Sequence, residues 1–171
     1  AMTKNLGTPL RAEDSRESLR HQLQAVLGQL FDLHVQGVEA HAHFIGTRFT
    51  GMQRQLEYVV QTAREASDSV AELLRGLDRE RTRGLLITEV PPAIPGLRPG
   101  ERCTTAAANM VTHRISLVLN TIRGIVDELG DHTSTAGLLR AIAETIDREA
   151  MTLVAESRSI SSTAYSVGTE K

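Results

Sequence analysis

Apolar residues recur at steps of three and four along most of the chain, the spacing that gathers them on one face of an α-helix. In the first half Leu19, Leu23, Val26, Leu27, Leu30, Leu33, His34, Gly37 and Val38 form such a line, and Asp14 or Ser15 stands where a side-chain oxygen caps its start. The pattern breaks between Phe44 and Arg48, around Gly46, and resumes as Phe49, Met52, Leu56, Val59, Ala63, Val70, Leu74 and Leu77. This predicts a helical hairpin with a very short turn. Beyond it Pro91, Pro92, Pro95 and Pro99 fall together and Pro9 is the only other proline, so one irregular connection separates two long proline-free halves. Thr104 or Thr105 caps a third helix, built on Ala108, Val111, Ile115, Val118, Leu119, Ile122 and Val126 and ending near Gly130. A fourth follows at once on Leu138, Leu139, Ile142, Ile146, Ala150, Leu153 and Val154.

Four helices of about 22 to 28 residues, in two hairpins joined by one long crossover, predict an all-α four-helix bundle of ferritin-like connectivity, with room in the crossover for a short extra helix. The expected limits are an N-terminal tail over 1–14, the bundle over 15–156 and a Ser-rich C-terminal tail over 157–171. Composition agrees with this. Of 171 residues 40% are hydrophobic but only 3% aromatic, with no Trp, so the interior is Leu, Ile, Val, Met and Ala, a helical rather than a sheet core. The five rings, Phe31, Phe44, Phe49, Tyr58 and Tyr165, are too few for a base-stacking platform. Nineteen basic against 21 acidic side chains leave a charge of -2 and no electrostatic case for nucleic acid. A lone Cys103 forms no internal disulfide, no Cys/His cluster suggests structural zinc, and neither a signal segment nor a bilayer-length apolar run is present. A soluble, cytoplasmic protein is expected.

The second helix carries another line. With Gln53 set at zero and about 100° per residue, Glu57, Asp68 and Glu72 fall at roughly 40°, 60° and 100°. A solvated polar face accounts for such a sector, and so does a metal site. Glu57 and Asp68 are about 16 Å apart along the axis, too far for one ion to bridge. A site therefore needs a second copy running antiparallel, the Gln53 and Glu57 end of one chain meeting the Asp68 and Glu72 end of the other. A two-fold axis near Thr62 and Ala63 then generates two identical sites. His41, just before the turn, is placed to add an imidazole at the Gln53 end. One imidazole, several carboxylates and an amide suit Fe(II) with open positions, whereas zinc usually asks for more nitrogen or sulfur.

From Leu33-His34-Val35-Gln36-Gly37-Val38-Glu39-Ala40-His41 through Gly46 and Phe49 to Glu57, Asp68 and Glu72, the chain resembles the ferroxidase region of the DNA-binding proteins from starved cells (Dps), the mini-ferritins. The family pattern is a His followed by Trp, a Gly, a Phe, a second His, an acidic residue and Asp-x-x-x-Glu. His41, Gly46, Phe49, Glu57, Asp68 and Glu72 match it without a gap, while Gln53 replaces the second His and Ala42 the Trp. The resemblance extends through the proline-rich crossover to the start of the last helix, covering roughly Leu19 to Glu156.

It implies a hollow dodecamer that binds Fe(II) at dimer-interface sites, oxidises it with peroxide in preference to oxygen, stores Fe(III) as a mineral and so protects the cell from oxidative stress. His41, Glu57, Asp68 and Glu72 would be catalytic, and these with Gln53 the metal ligands. Asp127, Glu128 and Asp131 match the family's three-fold iron-entry pore, although helix-end acids with an Asp131 cap account for them equally well. His43 points away from His41, His34 and His21 read as packing or dimer residues, and His113, His132 and Cys103 stand in no constellation. DNA binding is expected to be weak or absent, because Lys4 and Arg11 are offset by Glu13 and Asp14, and Arg158 and Lys171 by Glu170. Two competing classes remain: a structural or nucleoid-associated cage whose ferroxidase site is weakened at Gln53 and Ala42, and an unrelated helical regulator with an acidic face.

Overall fold

The computed structural model describes residues 8–80, 104–130 and 133–167. Four helices account for nearly all of them: α1 (Thr8–Phe44), α2 (Thr50–Glu80), α3 (Thr104–Leu129) and α4 (Ser134–Val167), with no strand among the described residues. They form a four-helix bundle in which α1 packs on α2 and α3, α4 packs on α3 and α2, and the two diagonal pairs stay apart. Each helix runs antiparallel to its neighbours. Along α1 and α2, Arg20 pairs with Asp78 at 3.0 Å and His34 Nδ1 lies 3.3 Å from the Val60 carbonyl oxygen. Along α1 and α3, Gln22 donates to Glu128 at 2.8 Å and Arg114 to Asp32 at 2.7 Å. Consequently α2 ends and α3 begins at opposite ends of the bundle and on opposite corners. The proline segment and the expected extra helix, with Cys103, lie outside the described residues.

The core is aliphatic, as the composition predicts. Leu23, Val26, Leu30 and Leu33 of α1 meet Leu56, Val59 and Val70 of α2, Ile115, Val118 and Ile122 of α3, and Leu139, Ile146 and Leu153 of α4, all buried in one cluster. Among the described residues Phe44 is the one fully buried aromatic ring, set edge-on to Phe49 across the α1–α2 turn. That turn is closed by Thr47, whose hydroxyl donates to the Phe44 carbonyl at 2.7 Å and accepts from the Phe49 amide, while Gly46 takes φ of 79°. A side chain at that φ would be strained, which is why glycine occupies the turn. Gly130, at φ 70°, ends α3 in the same way, and Thr133 accepts the Ala136 amide to cap α4.

Three helices are longer than expected, α1 at 37 residues, α2 at 31 and α4 at 34, while α3 at 26 falls within the expected range. The first and last helices run into the segments expected as tails. α1 begins at Thr8, so Asp14 and Ser15 lie inside it and cap nothing; the Ser15 hydroxyl instead bonds back to the Arg11 carbonyl at 2.9 Å. At the other end the Ser-rich segment from Ser157 continues α4 to Val167, with Ile160 buried and the Ser161 hydroxyl bonded to the Ser157 carbonyl. Val38, expected on the core face, is exposed. Eight helical residues turn through about 800°, which leaves Val38 some 80° from Leu30 on the side away from the core.

Candidate metal centre

The expected ligands all belong to the α1–α2 hairpin. His41 lies in the last turn of α1, half-buried, and Gln53 in the first turn of α2, half-buried, its backbone N–H donating to the Phe49 carbonyl at 3.1 Å. Glu57, Asp68 and Glu72 are exposed along α2. Since Val60 and Asp78 face α1 while Gln55 and Thr62 face α4, helical rotation turns Gln53, Glu57 and Asp68 onto the outer face of the α1–α2 layer. Glu72 sits at the far edge of that sector. The hairpin therefore presents the line outward, where only another molecule can complete it. Among the described residues no three His, Cys, Asp or Glu side chains converge within one chain.

Arginines interrupt the line. Arg64 and Arg75 fall in the same angular sector. Arg64 donates to Gln61 at 2.9 Å, and Arg75 pairs with Glu72 at 2.9 Å. Both partners of the second pair are more than half exposed, so solvent screens it and its rupture costs only about 0–1 kcal/mol. Glu72 is thus available to a divalent cation, which a carboxylate binds far more strongly than a screened guanidinium. Asp68 and Glu72 also edge an open groove of about 600 Å³ between α2 and α4, floored by Leu73, Leu77 and Leu138.

A fourth carboxylate lies outside the line that the sequence pattern picks out. Glu149 of α4 faces α2, accepts the Thr62 hydroxyl at 2.5 Å, and holds its other oxygen buried without a hydrogen-bond partner among the described residues. Burial pushes its carboxyl above the usual range. The Thr62 hydrogen bond and Arg148 pull it back, and nearby Glu65 adds to the rise. The signal was legible: Glu149 lies three residues after Ile146 and four before Leu153, on the buried side of α4, where an acid is out of place. It lies on the α4 side of α2, away from the outer face that carries Glu57.

No protein family matches the chain, and no curated protein matches it at significant similarity. The likeness to the mini-ferritins rests on the residue pattern itself. At the proposed pore, Asp127 and Glu128 are exposed in the last turn of α3, with Glu128 engaged by Gln22, while Asp131 and His132 lie outside the described residues. His43 stacks edge-on against Phe44, His34 faces the Val60 carbonyl as a packing residue, and His21 and His113 are exposed.

Proposed function

We propose that this protein is a Dps-like mini-ferritin that oxidises Fe(II) at sites shared by two copies and stores Fe(III) inside a dodecameric, ferritin-like cage in the cytoplasm. The observation that carries the reading is the outward placement of the Gln53, Glu57 and Asp68 line on α2, with His41 beside its start and Glu72 beyond its end. Two such hairpins, antiparallel about Thr62 and Ala63, bring His41, Gln53 and Glu57 of one chain to Asp68 and Glu72 of the other. Three carboxylates meeting without a cation repel one another; Fe(II) removes that repulsion and the imidazole fills out the set. Iron is the substrate here. Two Fe(II) give one electron each to one hydrogen peroxide, which with two protons leaves as two waters, so the O–O bond is broken without releasing hydroxyl radical.

A second reading is favoured by the Glu72–Arg75 pair and by Gln53, a neutral oxygen donor where the family pattern has an imidazole. Both weaken iron binding and fit a structural or nucleoid-associated cage with a slow ferroxidase site. One experiment separates the two. Fe(II) is added anaerobically, peroxide follows, and ferric absorbance is recorded for the wild type and for the double variant Glu57→Ala, Glu72→Ala. The ferroxidase reading expects fast colour in the wild type and a rate fallen to that of protein-free buffer in the variant. Equal rates would overturn the site.

A further inference from the structure

On the side of the bundle away from the α2 carboxylates, α3 and α4 leave a groove of about 510 Å³ between them. Ile115 and Leu119 of α3 form its floor with Ala150 and Val154 of α4, and Met151, 69% exposed, stands along its edge. The groove is open because the residues that face across it are small. Thr112, Ser116 and Asn120 recur every fourth position along the α3 rim. The first two turn their hydroxyls back on their own helix, Thr112 to the Ala108 carbonyl at 3.0 Å and Ser116 to the Thr112 carbonyl at 3.2 Å. With those donors engaged, that part of the rim offers mainly carbon surface.

The two ends of the groove differ in charge. At one, Arg123 and Asp147 pair across the helices at 3.6 Å. At the other stands Arg158, exposed and without an acidic partner among the described residues. Because α3 and α4 are antiparallel and Arg123 is level with Asp147, Arg158 is level with Thr112, and the two ends lie about 16 Å apart along the axis. An aliphatic trough with an unpaired cation at one end and a neutralised pair at the other is complementary to a chain that carries one anionic head.

We infer that this groove binds a straight-chain fatty carboxylate of about twelve carbons, its head on Arg158 and its chain running over Leu119 toward the Arg123–Asp147 pair. With carbon–carbon bonds of about 1.5 Å an extended chain advances roughly 1.3 Å per carbon, so that length fills the trough. A guanidinium meets a carboxylate through two parallel N–H···O bonds, which a hydroxyl or ammonium head cannot accept in the same way. Arg123 is already held by Asp147, so the far end offers no second free cation, and the direction of the chain is fixed. Each methylene withdrawn wholly from water would tighten binding about fourfold, and a trough that covers one side of the chain gives about twofold. The site lies on the opposite layer from Glu57 and needs neither iron nor a second copy.

The test titrates the full wild-type chain by calorimetry with octanoate, decanoate, dodecanoate and tetradecanoate, each below micelle formation. Affinity is expected to rise about twofold per methylene and to level off beyond about twelve carbons. Arg158→Glu is expected to weaken dodecanoate about tenfold, since a modest exposed attraction becomes a repulsion of similar size, while dodecanol binding and helical circular dichroism stay unchanged. To locate the ligand, Ser116→Cys in a Cys103→Ala background carries a polarity-sensitive fluorophore on the rim, whose emission is expected to shift as dodecanoate saturates. The site is overturned by any of four results: no saturable binding, a dodecanoate affinity unchanged in Arg158→Glu, a silent label at position 116, or dodecyltrimethylammonium binding as tightly as dodecanoate.

Discussion

Gln53, on the outer side of α2, and Glu149 of α4, packed against the opposite side of α2, make separate predictions. Gln53 supplies at most a neutral carbonyl oxygen to Fe(II), and an imidazole is the stronger donor. Gln53→His is therefore expected to raise the initial rate of peroxide-dependent Fe(II) oxidation several-fold, read by ferric absorbance at limiting iron. A lower or unchanged rate would count against Gln53 as a ligand position. Glu149 titrates in the other sense from most carboxylates in folded proteins. Burial raises its carboxyl above the usual value, so the fold favours the protonated form; its stabilising share is whole below the ordinary carboxylate pKa and is lost as pH rises through the elevated one. Glu149→Gln keeps an oxygen for the Thr62 hydroxyl and removes the buried charge. Its melting temperature should exceed that of the wild type at pH 7, with the gap closing near pH 4; an equal gap at both pH values would rule out the buried charge as the cause. Sequence periodicity placed Glu57, Asp68 and Glu72 on one sector but could not show that Arg75 holds Glu72, since which of several neighbouring charges pair depends on rotamers.

At the level of helices, two contacts set where the outer face lies. A Cβ added to Gly37 would stand 2.9 Å from Val60 Cγ2, a β-branched side chain with little freedom to turn away. Gly37→Ala is expected to push α1 from α2 and cost about 1–3 kcal/mol in urea unfolding, with a matching loss of Fe(II) oxidation because His41 moves relative to Gln53. Asp32 and the 4%-exposed Arg114 join α1 to α3, and removing one partner of a buried ion pair is costly. Asp32→Ala should lower stability by about 3 kcal/mol with no direct effect at Glu57, a dissociation of stability from activity that circular dichroism and the iron assay can read together. The four helices and the short turn at Gly46 were legible in sequence because a 3.6-residue period and a glycine break are local signals. Helix ends were not. Ser15 and Ser157 look like cap and tail residues, yet each sits within a helix that neighbouring turns and, near α4's end, buried Ile160 sustain.

For the molecule as a whole the cage reading sets a mass and an affinity. Twelve copies of an 18.7 kDa chain give a particle of roughly 220 kDa by light scattering, and a monomer would leave the proposed iron site without its second half. Near-neutral charge and mixed tails predict no gel shift of duplex DNA at about 150 mM monovalent salt, where weak phosphate contacts are screened. A retained shift would move the protein toward the nucleoid-associated reading. Taken alone, the order of apolar and polar residues determined that the chain forms four helices in two hairpins, that its core is aliphatic, and that one helix carries three carboxylates too far apart to share an ion. Those properties follow from local periodicity and from the fixed rise of a helix. Only the tertiary structure decided which way that carboxylate helix is turned, that Val38 faces outward with Phe31 and Val35, and that Thr62 is the partner Glu149 meets. Those depend on how the four helices rotate to bury their widest apolar faces together, a choice made by packing all of them at once.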